Sequence, residues 1–379
     1  MRETSNRGDR TTLLAFACFW VVIGFGGWLG YSLVQASGLA GHAVKAATAV
    51  ATPQRPSTGG GVPPPLTVAS VFAAQAPSLA RYGRANLRTL IATGDVIPAR
   101  SVNYKMVTYN DFLYPFRRTA GYLRSADITL INLESPLIAS GCPVVYEGMQ
   151  FCGDPRFVQG LRFAGVDTAC TANNHIGNYG PQGIQETWNH LGAAGIGYCG
   201  YGKVDHKTVR GIRFAFLGYN TVGERFDYAA ARQQIRAARR GADIVVVSVH
   251  WGKEYVAVPT TAPGIADDDP QRVAHWIIDS GADLIIGNHP HHVQAVEIYH
   301  HHFISYAHGN FVFDQMFSMP TREGVVGTYT FYRKRLVAVR YRPVVIYDYA
   351  QPRWADPATA RQILTGMRNA TWQLAHRKS

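Results

Sequence analysis

Five apolar segments of the sequence each end in residues whose side chains can bind a metal ion. The segments are LRTLIATGD, DITLINLES, VDTACTANNH, ADIVVVSVH and ADLIIGNHPHH, and the residues at their ends are Asp95, Glu134, Asn174, His175, His250, His289 and His291. Carboxylate, amide and imidazole ligands together favour Zn, Mn or Fe over Ca or a thiolate-bound metal. A single histidine at a strand end is usually a core or loop residue, but five consecutive segments of this kind predict a metal site.

The elements that must hold these residues alternate between strands and helices. From Leu87 onward, strand-like apolar runs alternate with amphipathic helical patterns, which is typical of a layered α/β domain. Ligands of open α/β sheets bind beyond the carboxyl ends of the strands, so the five segments are expected to meet in one crevice. His289 and His291 stand two residues apart, and on an extended segment they would face the same side and address neighbouring metals.

Helix and strand boundaries can also be predicted in the second half of the chain. Asp269 and Pro270 predict the N-cap and the first residue of a helix that ends at Gly281. The stretch 327–349 combines β-branched and aromatic residues with basic ones, which predicts antiparallel strands. A final helix is expected from Pro357 to Ala375.

Length and net charge limit the class of protein. The chain has 379 residues, of which 47% are hydrophobic, and its 37 lysines and arginines against 25 aspartates and glutamates give a formal charge of +12. This composition excludes a disordered acidic tail and a disulfide miniprotein. The basic balance suits an anionic membrane face or an anionic polymer. We expect no nucleic-acid partner, because the chain has neither zinc-finger spacing nor a basic run with interleaved aromatic residues.

The N-terminal segment predicts a membrane anchor. Residues 13–33, LLAFACFWVVIGFGGWLGYSL, carry no charged side chain and are long enough to span a bilayer. Arginines precede the span, so the positive-inside rule places the N-terminus in the cytoplasm and the rest of this single-pass chain outside. Cleavage at Val34-Gln35-Ala36 is the alternative, and it would release a secreted protein.

Four segments are expected along the chain. Residues 1–45 hold the cytoplasmic N-terminus and the signal anchor, and residues 46–86, rich in Ala, Pro, Gly, Ser and Thr, form a flexible linker. The α/β domain is expected over residues 87–347. A C-terminal helical tail is expected over residues 348–379.

Cysteine spacing leaves two interpretations open. Cys142, Cys152, Cys170 and Cys199 form an even set beyond the predicted span. Cys142 and Cys152 flank a short stretch that predicts a hairpin, whose arms a disulfide would join outside the cytoplasm. Four buried free thiols are the alternative, because spacing does not show that two Cα atoms approach within bonding distance.

The order of six motifs resembles a known family. GDVIPAR, NLESPL, ANNHIGNYG, HWGKEY, GADLIIGNHPHHVQAVE and HGNFVFD follow one another between about Leu87 and Gln315. In this order they resemble the signatures of the CapA family, the capsule-synthesis or poly-γ-glutamate accessory proteins within the calcineurin-like metallophosphoesterase superfamily. The resemblance implies a four-layer α/β/β/α sandwich with a metal site at the strand ends, and a protein that works outside the cytoplasm.

The resemblance also implies a role for each strand-end residue. Glu134 would lie near or between two metals. The residues of the two metal positions would be Asn174, His250 and His289 for one and Asp95 and His291 for the other. His175 matches the histidine that lies near the leaving group as an acid or a transition-state stabiliser. One or two divalent ions of Mn, Zn or Fe would then support hydrolysis of a phosphoester or a related bond.

Two further residues are candidate substrate contacts. Arg100 ends the first motif and Asn173 lies in the third, and both are candidates to meet an anionic substrate. For Arg100, scattered surface charge is the alternative interpretation.

The chain also departs from the family pattern. Catalytic members of the superfamily usually carry a histidine two residues after the first aspartate, where this chain has Ile97. His308, before the GNF motif, is either an added ligand or a loop residue. Hydrolysis of an amide or a peptidoglycan-linked bond would use the same metal-activated water, and the sequence does not separate it from phosphoester hydrolysis. Two classes of function remain. One is a hydrolase acting in the synthesis, export or attachment of an anionic polymer such as poly-γ-glutamate, and the other is a non-catalytic module that binds the polymer or assists a membrane synthase.

Overall fold

The computed structural model describes residues 61–75, 78–149 and 151–377. The predicted membrane anchor, residues 13–33, and the first part of the predicted linker lie outside these residues. Among the helices of the described part, none is both long and apolar enough to cross a bilayer.

Fourteen β-strands form two sheets in the described part of the chain. In chain order the strands are β1 (Leu87–Val96), β2 (Ile128–Leu133), β3 (Thr168–Cys170), β4 (Gly197–Cys199), β5 (Asp205–Val209), β6 (Ile212–Asn220), β7 (Ile244–His250), β8 (Leu284–Asn288), β9 (Val296–Tyr299), β10 (His302–Ser305), β11 (Asn310–Val312), β12 (Glu323–Tyr332), β13 (Arg335–Tyr347) and β14 (Gln351–Trp354). The first sheet has the order β14-β13-β12-β1-β2-β3-β4, with β11 paired to the end of β1, and the second has the order β5-β6-β7-β8-β10-β9. Strands β1 to β4 are parallel, as are β6, β7, β8 and β10, so their carboxyl ends gather at one edge of each sheet.

Nine α-helices connect or flank these strands in the same described residues. They are α1 (Val68–Val71), α2 (Ser101–Thr108), α3 (Ala120–Leu123), α4 (Phe157–Ala164), α5 (Gly180–Ala193), α6 (Tyr228–Gly241), α7 (Pro270–Ser280), α8 (Met319–Arg322) and α9 (Pro357–Ala375).

The main core lies between the two sheets, and the alternation of side chains along the strands explains it. Leu90 of β1 packs in this core with Phe216 of β6 and Val246 of β7. The next residue of β1, Ile91, faces the other way and packs with Val102 of α2, because successive side chains of a strand point to opposite faces. Helices α6 and α7 cover the outer face of the second sheet in the same manner. The predicted mixed α/β architecture with two packed sheets is therefore confirmed.

Several predicted element boundaries are confirmed as well. Helix α7 begins at Pro270, and the Asp269 carboxylate caps it by accepting a hydrogen bond of 2.9 Å from the Arg272 backbone N–H. It ends at Ser280, and the capping residue that follows, Gly281, has a φ of 120°, which favours glycine. Helix α9 spans the predicted residues, and β12 and β13 form the predicted antiparallel strands.

The folded region extends beyond both expected boundaries. Part of the predicted linker is folded, because Val71 of α1 is buried in the core between the sheets and Leu66 and Phe72 pack against that core. At the other end, β14 continues the first sheet past residue 347.

The structure contains a disulfide between Cys142 and Cys152. The expected hairpin is wrong: within the described residues of this segment no strand forms. Val144 and Tyr146 are exposed, so the segment has no buried face that would hold two paired strands. Cys170 and Cys199 are free and buried, which makes the interpretation of four free thiols wrong.

Candidate metal centre

The candidate metal centre lies where strand ends of both sheets meet. Asp95 is the second-to-last residue of β1 and is in register with Asn132 of β2, and Glu134 follows β2 directly. In the second sheet, His250 ends β7 and is in register with Asn288, the last residue of β8, after which His289 follows. The predicted crevice at the carboxyl ends of the strands is therefore present, and it is formed by both sheets.

The predicted ligands fall into two groups that share one carboxylate. Glu134, His250 and His289 offer three ligand atoms within 4.8 Å of one another, and so do Asp95, Glu134 and His291. All five side chains are buried. The Oδ1 atom of Asn174 lies 2.9 Å from Nε2 of His250, which places the sixth predicted ligand beside the first group. The six candidate ligands are thus brought together around Glu134.

Unpaired polar atoms show that these residues fit a metal ion. Both ring nitrogens of His289, Nδ1 of His250 and Oε1 of Glu134 are buried without a hydrogen-bond partner. A buried polar atom without a partner is costly, and native structures leave few of them. A divalent cation held by these atoms would remove that cost, and imidazole with carboxylate is a donor set that Zn, Mn and Fe accept.

Burial and mutual charge set the protonation of the cluster. Burial lowers the pKa of His250 to about 3 and the pKa of His289 well below its usual value, so both rings are neutral, the form that binds metals. Burial and the charge of Asp95 raise the pKa of Glu134 well above its usual range. Burial opposes ionisation of Asp95, yet its hydrogen bond to His291 leaves its pKa lowered. Burial alone would lower the pKa of His291, but Asp95 and Glu134 raise it to about 9.

The backbone of the two neighbouring histidines is not extended, in contrast to the sequence-based expectation. His289 has a φ of 94° and His291 has a φ of 50°. Both values lie at positive φ, which residues other than glycine rarely adopt. The strand ends at Asn288, and the chain turns to bring both rings into the cluster, with ring centroids 5.7 Å apart. Such backbone strain persists where the surrounding structure demands it, and it is concentrated at functional sites.

Two asparagine side chains that the sequence reasoning did not assign hold the carboxylates and His291 in place. Nδ2 of Asn132 donates to Oδ1 of Asp95 at 2.8 Å and to Oε2 of Glu134 at 3.2 Å. Oδ1 of Asn310 lies 2.9 Å from Nδ1 of His291. A signal for Asn132 was present, because it lies two residues before Glu134 in the NLESPL motif and so points to the same side.

Asn173, predicted to contact substrate, is instead engaged within the protein. Its side chain is fully buried, and Nδ2 donates to Oδ1 of Asn132 at 3.0 Å and to the Leu133 carbonyl at 2.9 Å. Its Oδ1 accepts hydrogen bonds from the backbone N–H groups of His175 and Ile176. We therefore assign Asn173 a positioning role, in which it fixes the loop after β3.

His175 lines a cleft of about 380 Å³ beside the metal cluster. Its ring stacks on Phe151 with centroids 4.0 Å apart, and Nδ1 lies 3.2 Å from Oδ1 of Asn178. That oxygen also accepts a hydrogen bond of 2.8 Å from the Phe151 backbone N–H, which fixes the orientation of the amide. Nδ1 of His175 must therefore carry a proton. Burial lowers the pKa of His175 to about 4, so the ring is neutral and Nε2 is left to accept a proton.

Arg100 lines the same cleft, but its charge is matched. Its guanidinium pairs with the buried carboxylate of Asp314 and lies over the rings of Phe151 and Phe313, 4.5 Å and 5.1 Å from their centroids. The φ of Arg100 is 50°, so Arg100 is another residue at the site with a left-handed backbone. Arg100 is therefore a fixed cleft residue, and the interpretation of scattered surface charge is wrong.

His308 and Ile97 lie outside the ligand groups. Nδ1 of His308 lies 3.2 Å from the Thr93 carbonyl and Nε2 lies 2.8 Å from the Tyr329 hydroxyl, in the core between the sheets. Both nitrogens are engaged, so His308 is not an added ligand but a buried residue of the loop between β10 and β11. Ile97 is fully buried in a small apolar cluster with Phe151 and Phe313.

Comparison with known proteins agrees with the motifs. Residues 89–315 match the model of the family described as bacterial capsule synthesis protein PGA_cap. The chain is 29% identical over 254 residues to the capsule biosynthesis protein CapA of Bacillus anthracis, an alignment that covers 60% of each chain. It is 30% identical over 200 residues to the PGA biosynthesis protein CapA of Bacillus subtilis (strain 168), covering 47% of this chain and 50% of the relative.

The aligned region thus spans between half and three fifths of the length of these two relatives. Since the family model covers more than half of the chain, the protein belongs to the bacterial capsule synthesis PGA_cap family, within the metallophosphoesterase-like superfamily.

Proposed function

We propose that the protein is a metal-dependent hydrolase that acts in the synthesis, export or attachment of an anionic capsule polymer such as poly-γ-glutamate. The observation that carries the proposal is the buried cluster around Glu134, in which nitrogens of His250 and His289 have no hydrogen-bond partner. The names of the two relatives, which refer to capsule and PGA biosynthesis, support the choice of polymer.

The ligand positions follow from the grouping of these residues. Glu134 belongs to both ligand groups and would contact both ions, His250, His289 and Asn174 would hold one ion, and His291, oriented by Asp95, would hold the other. When bound, a pair of divalent ions supplies an activated water and stabilises the charge that develops on a phosphoryl group.

His175 is the residue that we propose to move a proton. Asn178 fixes the proton on Nδ1, so Nε2 is the atom that accepts a proton and, once protonated, passes it to a leaving oxygen. Phe151 stacks on the face of the His175 ring, which holds the ring in place and limits the access of water to it. Arg100, fixed by Asp314, is placed to orient a negatively charged substrate in the cleft.

We further propose that this domain works outside the cytoplasm, tethered by residues 13–33. The apolar span preceded by arginines supports this topology. The disulfide between Cys142 and Cys152 also supports it, because disulfides persist in oxidising compartments and are rare in the cytosol. A cysteine-accessibility assay on whole cells tests it: a cysteine introduced at the exposed Ser125 is expected to react with a membrane-impermeant maleimide, and labelling only after lysis would contradict the topology.

A second candidate function is a non-catalytic module that binds polymer or assists a synthase. The observation that favours it is Ile97, which replaces a histidine usual in catalytic members of the superfamily with a buried apolar side chain. The formal charge of +12 would then serve to attract the anionic polymer.

Complementation separates the two functions. A strain that lacks the gene is complemented with the wild-type chain or with the His250→Ala/His289→Ala variant, and surface polymer is quantified by its glutamate content after hydrolysis. We expect the wild type to restore the polymer and the variant to fail at equal protein level. Full restoration by the variant would reject the hydrolase and favour the non-catalytic module.

A further inference from the structure

Glu254 lies at the edge of the metal cluster and was not among the predicted ligands. It follows β7 by four residues, in the HWGKEY motif, and lines the cleft that also contains His175. Its Oε1 atom lies 4.0 Å from Nε2 of His291. Glu254, His289 and His291 form a third group whose ligand atoms lie within 4.8 Å of one another.

The orientation of His291 shows which of its nitrogens faces the ligands. Nδ1 lies 3.2 Å from Oδ2 of Asp95 and 2.9 Å from Oδ1 of Asn310, so this nitrogen is engaged on one side of the ring. Nε2 is directed to the other side, where Oε1 of Glu134 is 3.9 Å away and Oε1 of Glu254 is 4.0 Å away. Two ligands that bind one ion at about 2.1 Å are about 3–4 Å apart. Oε1 of Glu254 and Nε2 of His291 are therefore spaced as ligands of one ion, and so are Oε1 of Glu134 and Nε2 of His291.

Asp95 is less available than the sequence pattern implies. Its Oδ1 accepts a hydrogen bond from Asn132, and its Oδ2 accepts from the His289 backbone N–H at 3.4 Å and faces His291. A carboxylate that holds a metal-binding histidine through the other ring nitrogen orients that ring and raises its basicity. Position 97 supplies no donor, because Ile97 is buried among aromatic rings. The metal position beside Nε2 of His291 therefore needs a further ligand on the side that faces the cleft.

We propose that Glu254 is a protein ligand of the second metal ion, together with Glu134 and Nε2 of His291, and that it takes the place of the histidine absent at Ile97. The inference rests on the proposed metal-dependent function. Two carboxylates and one imidazole form a harder donor set than a site with an added histidine, so Mn²⁺ competes better with Zn²⁺ at this position than it would at a site with that histidine. The Glu254 side chain is 40% exposed, whereas Glu134 and His291 are buried, so the second ion is the more easily lost.

The test is the Mn²⁺ stoichiometry of the full-length protein, purified in detergent, stripped with chelator and titrated with MnCl₂. Bound Mn²⁺ is measured by elemental analysis, and spin-coupled pairs are measured by electron paramagnetic resonance. The variants are Glu254→Gln, Glu254→His and, as a matched control, Glu147→Gln, a glutamate of the same cleft that belongs to none of the three ligand groups.

We expect two equivalents and a coupled signal for the wild type and for Glu147→Gln. In Glu254→Gln the second equivalent is expected to bind at least about 10-fold more weakly and the coupled signal to disappear, since even residues that only orient ligands change affinity by about 10- to 100-fold. Glu254→His is expected to keep two equivalents, because an imidazole replaces the carboxylate as a ligand.

Three outcomes would overturn the inference. If Glu254→Gln binds two equivalents with wild-type affinity, Glu254 is not a ligand and the proposed metal-dependent function stands. If the wild type binds one equivalent that Glu254→Gln retains, there is no second ion and the function again stands with a single metal. If the wild type binds no Mn²⁺, Zn²⁺ or Fe²⁺, both the inference and the proposed function are rejected.

Discussion

Oε1 of Glu134 lies 3.3 Å from Nε2 of His250, although the two residues come from different sheets. Glu134 follows β2 of the first sheet, and His250 ends β7 of the second. The cluster is therefore completed only when the two sheets pack together, which is why its ligands are spread over more than 150 residues of sequence. Substitutions that loosen the core between the sheets are expected to weaken metal binding without touching a ligand.

The first prediction concerns Asn132, which holds Asp95 and Glu134 through one amide group. The Asn132→Ala variant is expected to lose about 10- to 100-fold in metal affinity, because the two carboxylates lose their common donor. Competition with a fluorescent chelator measures the affinity. Asn189→Ala on α5, whose side chain interacts with Gln185 at the surface, serves as the control and is expected to bind metal like the wild type. Equal affinity in Asn132→Ala would show that the amide does not position the ligands.

The second prediction concerns proton transfer by His175. His175→Gln keeps a polar side chain of similar reach but has no group that accepts a proton, so turnover of a phosphodiester substrate is expected to fall by about 100-fold or more. Metal content is expected to stay unchanged, since His175 belongs to none of the ligand groups. Steady-state kinetics with elemental analysis on the same sample check both. Loss of metal together with activity would instead mean that His175 supports the ligands.

The third prediction concerns the disulfide between Cys142 and Cys152, which closes a short loop that ends beside Phe151. Replacement of both cysteines by serine is expected to lower the free energy of unfolding by about 2–3 kcal/mol, through the greater freedom of the unfolded chain. It is also expected to reduce turnover, because Phe151 stacks on His175. Urea unfolding with and without reductant measures the effect. A wild type that reductant does not destabilise would argue against this contribution.

The fourth prediction concerns the acid stability given by Glu297. Burial raises its pKa, but hydrogen bonds from His275 and Tyr306 outweigh that effect and leave the pKa below the usual 4.5. A carboxylate with a lowered pKa in the folded state stabilises the fold above its unfolded pKa and loses this contribution as the pH falls. The wild type is therefore expected to lose stability between about pH 5 and pH 3, relative to Glu297→Gln, in urea unfolding. If the free energy of unfolding changes with pH in the same way in both proteins, the proposed contribution of Glu297 is wrong.

Much of the fold and part of the site could be predicted from sequence patterns. Strands β1, β2, β3, β7 and β8 were recognised because each is a short apolar run that ends in polar residues, and the packing of parallel strands brings such ends to one edge. Helix α7 was predicted with its boundaries because Asp269, Pro270 and Gly281 act locally on the backbone. These signals come from residues that are close together in the sequence, so they can be recognised in one sequence without knowledge of the fold.

The features that were missed depend on contacts distant in sequence or on irregular backbone. Glu254 is separated by 37 residues from His291, and only the crevice between the sheets brings them together. The left-handed conformations of His289 and His291 have no local signal, because neither residue is a glycine. Asn173 was assigned to substrate by its place in a motif, but burial and four hydrogen bonds, which a motif does not record, give it another role.

The most direct test of the central claim is the metal content of the full-length protein purified without chelator. It is compared with the His250→Ala/His289→Ala variant and with His300→Ala/His301→Ala, which removes two histidines from the exposed turn between β9 and β10. We expect two equivalents of transition metal in the wild type and in the turn variant, and loss of metal in the cluster variant. A wild type without bound metal, or a cluster variant with wild-type content, would contradict it.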